Sequence, residues 1–497
     1  MEIKGSACVA VTLALALMLP SGASADASQI QSHLRTLLGP VGSAIDVTGA
    51  GKEYLVTIDA ELPLGSWIDT LGHTLAITPY NIKLEEVSTG RWSFEGEPQE
   101  FRMTSASQYG NMEFRFSIYD LKFSGNFDEA TMLFSDVRLE FSSMTRKTVI
   151  RYDQGLNSAN DPGVKVVISE STMGFDGWID TELNGNALDL IGQAKFGQVH
   201  KSISEERPIN LEITSLTRTT ESSLGVEALK IDFSLAGVVW DAIRELMNDA
   251  AGLAIYPGLE GADGAKFIQN AQRAIPFFDQ ISVRAELENA KISVAQVGEY
   301  HVDGLELSVD SRGATADGMV VASLGVAGLS LPKKILADWQ AAIAPRSGKV
   351  TFSFSDFNAD KFANMWLLYA LDSWTMRQAR QTWMEASFPK GAFKLSVHPA
   401  WISGEGYDLM LDGDIYVDAK TGEPAEGQAT ARMTGLDNVL NALRSAPPEM
   451  SDLLMALMMA RGFSKWEADG GLVWNLKLSE DGDLSVNGAS VGSPRKW

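Results

Sequence analysis

Two-residue alternation dominates this chain. Met112, Phe114, Phe116 and Ile118 are apolar, and Glu113, Arg115 and Ser117 stand between them. Side chains of an extended strand point alternately to opposite faces, so such a stretch offers one face to a core and one to water, as in an antiparallel sheet. The same period runs through Leu55–Asp59, through Ile82 and Leu84, and through Val137, Leu139 and Phe141. Turn residues break it at Ser88-Thr89-Gly90, Tyr109-Gly110-Asn111 and Ser124-Gly125-Asn126. From Glu53 to about Ser143 the pattern is almost purely β. Val164–Ser169 and Ile209–Leu216 read as further strands, with glycine-punctuated β or loop between them.

Helical spacing enters at the two ends. Ser28–Leu38 carries an apolar stripe and stops at Gly39-Pro40. Val238–Ala251, Lys266–Ile275, Leu331–Ile343 and Ala359–Met384 read as helices, and Ser445–Pro448 separates two last ones. A β-meander is expected from Ile281 to Val326. A closing hairpin is expected over Leu472–Leu478 and Leu484–Val491, around Asp481-Gly482.

One phrase recurs where a strand should end: a Gly or Asp, then an apolar residue, then a helical pattern. It stands at Gly237-Val238, Gly328-Leu329, Asp356-Phe357 and Gly435-Leu436. Gly, and Asp through local hydrogen bonds, permits a sharp backbone turn, and the next apolar residue plugs the junction. Two origins fit the phrase. It is common to layered folds, or it marks divergent duplication. The expected fold is α+β and β-rich: antiparallel sheets of recurring strand–turn–helix units, elongated and partly repetitive. The expected divisions are a signal peptide over 1–25, a mainly antiparallel β region over 26–220, and an α+β region over 221–497.

Residues 1–25 read as an export signal. Lys4 precedes an apolar run from Ala7 to Leu19, and Ala23-Ser24-Ala25 gives the small-x-small pattern for cleavage between Ala25 and Asp26. The run is too short to span a bilayer, so no transmembrane segment is expected after cleavage. The lone cysteine, Cys8, lies inside this signal, which removes disulfides, thiolate metal sites and cysteine nucleophiles from the mature chain. The expected location is periplasmic. Forty-one basic against 64 acidic residues give a net charge of −23. With no basic stripe in the sequence, nucleic acid is not an expected partner.

The recurrent phrase, together with Gly471–Leu478, Asp481-Gly482 and Val486-Asn487-Gly488, resembles a bacterial secreted family designated only as a domain of unknown function. The resemblance would cover most of the mature chain. More loosely, strand, Gly-Leu-Asp and helix resemble the AsmA-like envelope proteins. That resemblance implies a β-groove holding lipid tails and a part in outer-membrane lipid homeostasis. It brings no catalytic residues, and the chain lacks the N-terminal membrane anchor usual in that group.

No motif for chemistry stands out. The five histidines, His33, His73, His200, His301 and His398, are too far apart in sequence for a His-x-x-His site. Nucleophile-elbow, phosphate-loop and dinucleotide patterns are missing, and Asp481–Ser485 departs from a calcium loop at Val486 and Gly492. No catalytic residue, metal ligand or cofactor is expected. Met365–Leu371 and Leu453–Ala460 are apolar on every side. Such helices are either buried or form an adaptable apolar groove. The candidate groove residues are Phe357, Phe362, Trp366, Leu367, Met455 and Met458.

The leading expectation is a non-enzymatic periplasmic protein of the cell envelope. Its partner would be a lipid, another apolar ligand or an envelope protein. The alternatives are an interaction module without ligand, an outer-membrane barrel or a hydrolase. Oligomeric state is not legible.

Overall fold

In this computed structural model the residues described are 26–492, apart from 39–43, 60, 62–72, 108–110, 129, 132, 153–163, 212–213, 244, 247–261, 314, 333 and 372–384. The signal with its Ala25–Asp26 cleavage position lies outside the described residues, except for Asp26 itself. Strand accounts for 66% and helix for 16% of the structure, and 23 strands join one antiparallel sheet.

The strands in chain order begin with β1 Ile45–Ala50, β2 Glu53–Ile58, β3 His73–Ile77, β4 Tyr80–Ser88, β5 Arg91–Ser107, β6 Met112–Asp128 and β7 Leu133–Tyr152. Then come β8 Val164–Asn184, β9 Ala187–Phe196, β10 Val199–Leu211, β11 Thr214–Val226, β12 Ala228–Val239, β13 Gln280–Val294, β14 Gly298–Arg312 and β15 Gly318–Ala327. The last are β16 Pro345–Phe357, β17 Ala392–Gly404, β18 Tyr407–Asp418, β19 Pro424–Thr434, β20 Lys465–Trp466, β21 Leu472–Leu478, β22 Leu484–Val486 and β23 Ala489–Gly492. The numbered helices are α1 Ala27–Leu38, α2 Ala262–Arg273, α3 Asp338–Ile343, α4 Ala359–Leu371, α5 Leu436–Arg444 and α6 Ser451–Gly462, and further helical residues stand at 240–243, 245–246 and 385–387.

The chain divides into two compact units. One holds 1–182, 190–230 and 292–295, and the other 183–189, 231–291 and 296–497.

The first unit is built on alternation. Phe116, Ile118 and Phe114 of β6 pack with Phe101 and Met103 of β5 in a core that also takes Ile30 from α1. Phe94 stacks on Phe123 at 4.9 Å and meets Phe134 edge-on. Gly125 lies directly opposite Phe94, and a Cβ there would stand 2.5 Å from the Phe94 ring, so the ring rests on bare backbone. Strands of 17 to 20 residues would twist out of register without relief. Asp120 in β6 and Asp136 in β7 supply it, with φ of 54° and 50° beside breaks in the ladder. Asp tolerates this region better than most residues, and Asp120 is further held across the ladder by accepting from Ser142 Oγ of β7 at 2.6 Å.

The expected α+β fold of recurring strand–turn–helix units, elongated and partly repetitive, is overturned by this dominance of antiparallel sheet. The recurrent phrase is a small part of a chain that is only 16% helix. All four of its turn residues do adopt positive φ: 67° at Gly237, 64° at Gly328, 64° at Asp356 and 69° at Gly435. Gly237, Asp356 and Gly435 lead into helix, which begins at Trp240, Ala359 and Leu436. Gly237 sits inside β12, which runs on to Val239, and helix follows from Trp240, so the helix expected from Val238 begins two residues later; its part from 247 on lies outside the described residues. Gly328 closes β15 and is followed by irregular chain before the six residues of α3. A left-handed residue bends a strand as readily as it ends one, and strand pairing decides between them. The glycine-punctuated stretch around Gly174 and Gly177 is likewise strand, within the 21 residues of β8. Of the helix expected over Ala359–Met384, the part beyond Leu371 lies outside the described residues.

Candidate functional site

The second unit presents one sheet face whose ends are covered by helices and whose middle is open. Register fixes which residues share that face. Leu307 of β14 pairs with Leu324 of β15, and Leu324 with Val350 of β16. One row on, Val309, Ala322, Phe352, Val397 and Gly413 stand in line across five strands, β14 to β18. The next row holds Val320, Phe354, Leu395 and Ile415. Since i and i+2 point the same way, all of these side chains lie on one face.

At one end of this face Phe354, Phe393 and Val320 pack with Phe357, Phe362 and Ala359 at the start of α4, and with Phe388. Phe357 meets Phe354 at 4.4 Å and Phe362 edge-on at 6.1 Å. Asn358 opens the helix, its side-chain oxygen accepting from the Lys361 N–H at 3.1 Å. At the other end Tyr407, Met433, Leu472 and Trp474 pack against α5, and Trp339 and Ile343 of α3 and Leu454 and Leu457 of α6 join them. Alpha-5 is strongly amphipathic, burying Leu436, Val439, Leu440 and Leu443.

Between these clusters the face is bare. Phe352 is 53% exposed, Leu324 47%, Leu307 45% and Leu395 39%, and Val309 and Leu411 are exposed as well. Spacing of about 4.8 Å per strand makes this band about 19 Å wide from β14 to β18. Full burial of one Leu or Phe is worth about 1.5–3 kcal/mol, and this band forgoes much of that. Contiguous exposed apolar surface of this kind marks a contact surface.

The opposite face is mainly polar, with Trp401 and Met410 exposed on it as a pair. Ser323 and Ser353 are buried beneath neighbours, Thr351 Oγ donates to Ser323 Oγ at 3.0 Å, and Lys349 pairs with Glu306 at 3.3 Å. His398 Nε2 lies 3.0 Å from Ser353 Oγ on this face, but Ser353 is 6% exposed. The Asp414 carboxyl nearby is engaged by the Ser396 hydroxyl and by Lys394 at 3.0 Å. His301 pairs with Asp303 at 2.8 Å, its Nδ1 buried without a partner.

The six sequence candidates fall into two places. Phe357 is buried and Phe362 half-buried in the cluster under α4, where they seal one end of the open band. Trp366 and Leu367 belong to the same helix, and their side chains lie outside the described residues. Met455 and Met458 sit on α6, 57% and 51% exposed, and that helix buries none of its residues. Leu453–Ala460 is not a buried helix: Leu453, Met455, Met458 and Met459 face out while Leu454 and Leu457 anchor it. The structure does not bring the two sets into one cluster. The residues between them, Leu307, Leu324, Phe352, Leu395 and Leu411, were missed. Their alternation is visible in sequence, but alternation does not say which face stays uncovered.

No family model matches the sequence, and neither does any of the curated proteins. Among the described residues no helix is long and apolar enough to cross a membrane.

Proposed function

We propose that this is a non-enzymatic protein of the cell envelope, exported to the periplasm, that holds a lipid or similar apolar ligand on the open sheet face of its second unit. The observation that carries this reading is the band of Leu307, Val309, Leu324, Phe352, Leu395 and Leu411, exposed between two helix-covered ends. A ligand seated there would bury surface that the chain itself leaves wet. The methionines of α6 would supply an adaptable margin, since thioether side chains repack around differing shapes.

The test uses the full chain purified from an envelope fraction. Native mass spectrometry and solvent extraction are expected to find bound lipid, and an apolar-sensitive dye to brighten on the delipidated protein. Phe352→Glu with Leu324→Glu should abolish both signals while leaving the circular dichroism spectrum intact, because both side chains are already half exposed. Delipidated protein that carries no extractable ligand and fails to bind the dye would sink the proposal.

A further inference from the structure

A charged site lies on the first unit, and it does not depend on the apolar band. Arg115 of β6 stands directly opposite Lys147 of β7, and Arg151 of β7 directly opposite Lys165 of β8. Like charges facing each other across strands oppose sheet formation. Here two such pairs line one cavity of about 240 Å³, with Val149 and Val167 between them and Glu113 as its single carboxylate. Four cations and one carboxylate leave a lining charge of 4 − 1 = +3 in a chain whose net charge is −23. Glu206 holds Lys165 at 3.1 Å from outside the lining.

Glu113 does not neutralise the rest. It reaches Arg151 at 3.1 Å and Arg115 only at 3.9 Å. Lys147 is exposed and has no hydrogen bond or ion pair among the described residues. Arg115, with its side chain 71% exposed, also lines two adjoining hollows of about 740 and 370 Å³, and Lys147 lines the second of these.

Two ordinary explanations fail. Lysines often guard the open edges of sheets, but β6, β7 and β8 are each paired on both sides. Surface charge also keeps proteins dispersed, but cations here bring the chain closer to neutrality. Arginine and lysine together suit a phosphate group. The planar guanidinium gives paired N–H donors to two oxygens, and the lysine ammonium gives a mobile point charge.

We propose that the cavity formed by Arg115, Lys147, Arg151 and Lys165 binds a phosphate group, carried by a lipid headgroup or by a soluble phosphorylated molecule. Register makes this site from three strands, so no basic run announces it in the sequence.

The experiment uses the full chain at matched ionic strength. Inorganic phosphate, compared with chloride, is expected to raise the melting temperature and to give a saturable calorimetric isotherm. Arg115→Gln with Lys147→Gln should weaken that binding about tenfold or more. Lys147→Arg should keep it, as should the distant control Lys83→Gln. In phosphate-free buffer the double variant should melt higher than the parent, because the repulsion is gone. Vesicles of phosphatidylglycerol in phosphatidylcholine, compared with phosphatidylcholine alone, separate the sources. Flotation that phosphate competes away identifies a lipid headgroup, and phosphate binding without flotation identifies a soluble ligand. The proposal is overturned if neither phosphate nor vesicles bind, or if the double variant binds phosphate as the parent does. Loss of lipid from the second unit's apolar band would leave all of these results unchanged.

Discussion

Asp414 shows how single residues are held on the polar side of the sheet. The Ser396 hydroxyl donates to its carboxyl and Lys394 lies 3.0 Å away, and together they hold it below the usual carboxylate range against the opposing effect of partial burial. A carboxyl whose folded pKa is depressed binds protons more readily when unfolded. Its contribution to stability is therefore present above the unfolded value of about 3.9 and is lost as pH falls through the lower folded one. Urea midpoints of the parent should drop between about pH 6 and about pH 3, and Asp414→Asn should drop less over the same window. An equal drop in both would show that Ser396 and Lys394 do not favour the ionised form. None of this arrangement was legible in sequence. Asp412-Gly413-Asp414 carries turn-forming residue types, yet the three residues lie inside β18, where pairing with β17 and β19 overrides that tendency.

At the scale of elements, the sequence was legible where it described a local event. The positive φ at Gly237, Gly328, Asp356 and Gly435 follows from residue type. So does the start of α1 near Ser28, and the division of the last helices into α5 and α6 around Pro447-Pro448. Helix follows the turns at Gly237, Asp356 and Gly435, whereas after Gly328 irregular chain intervenes before the six residues of α3. The two final helices also differ in a way that periodicity only half reveals. Alpha-5 buries Leu440 to 2% exposure, whereas α6 keeps Met458 about half exposed. Leu440→Ala should cost about 2–5 kcal/mol through lost transfer energy and the cavity left behind. Met458→Ala should stay within about 0.5 kcal/mol, as surface substitutions do. Urea unfolding of both variants measures the contrast. A cost at Met458 comparable to that at Leu440 would mean that α6 is covered after all, and that its exposed methionines do not border a binding surface.

For the whole molecule the governing quantity is charge. A surplus of 23 acidic groups repels itself most strongly when the chain is compact, so the folded state bears more of this repulsion than the unfolded one. Salt acts on two opposing contributions. It weakens ion pairs such as Arg461–Asp437 at 2.6 Å and Arg146–Glu170 at 3.3 Å, but exposed pairs are worth only about 0–1 kcal/mol each, and contact distances are far shorter than the screening length. It also screens repulsion between carboxylates spread over the surface. The screening length falls from about 30 Å at 0.01 M to about 10 Å at 0.1 M, which removes most of the long-range part while leaving the close pairs largely intact. Repulsion should therefore lose more than attraction. The melting temperature should rise as sodium chloride is added over that range and flatten above it. A melting temperature that falls with salt would mean that the paired charges, and not the surplus, control the stability of the fold.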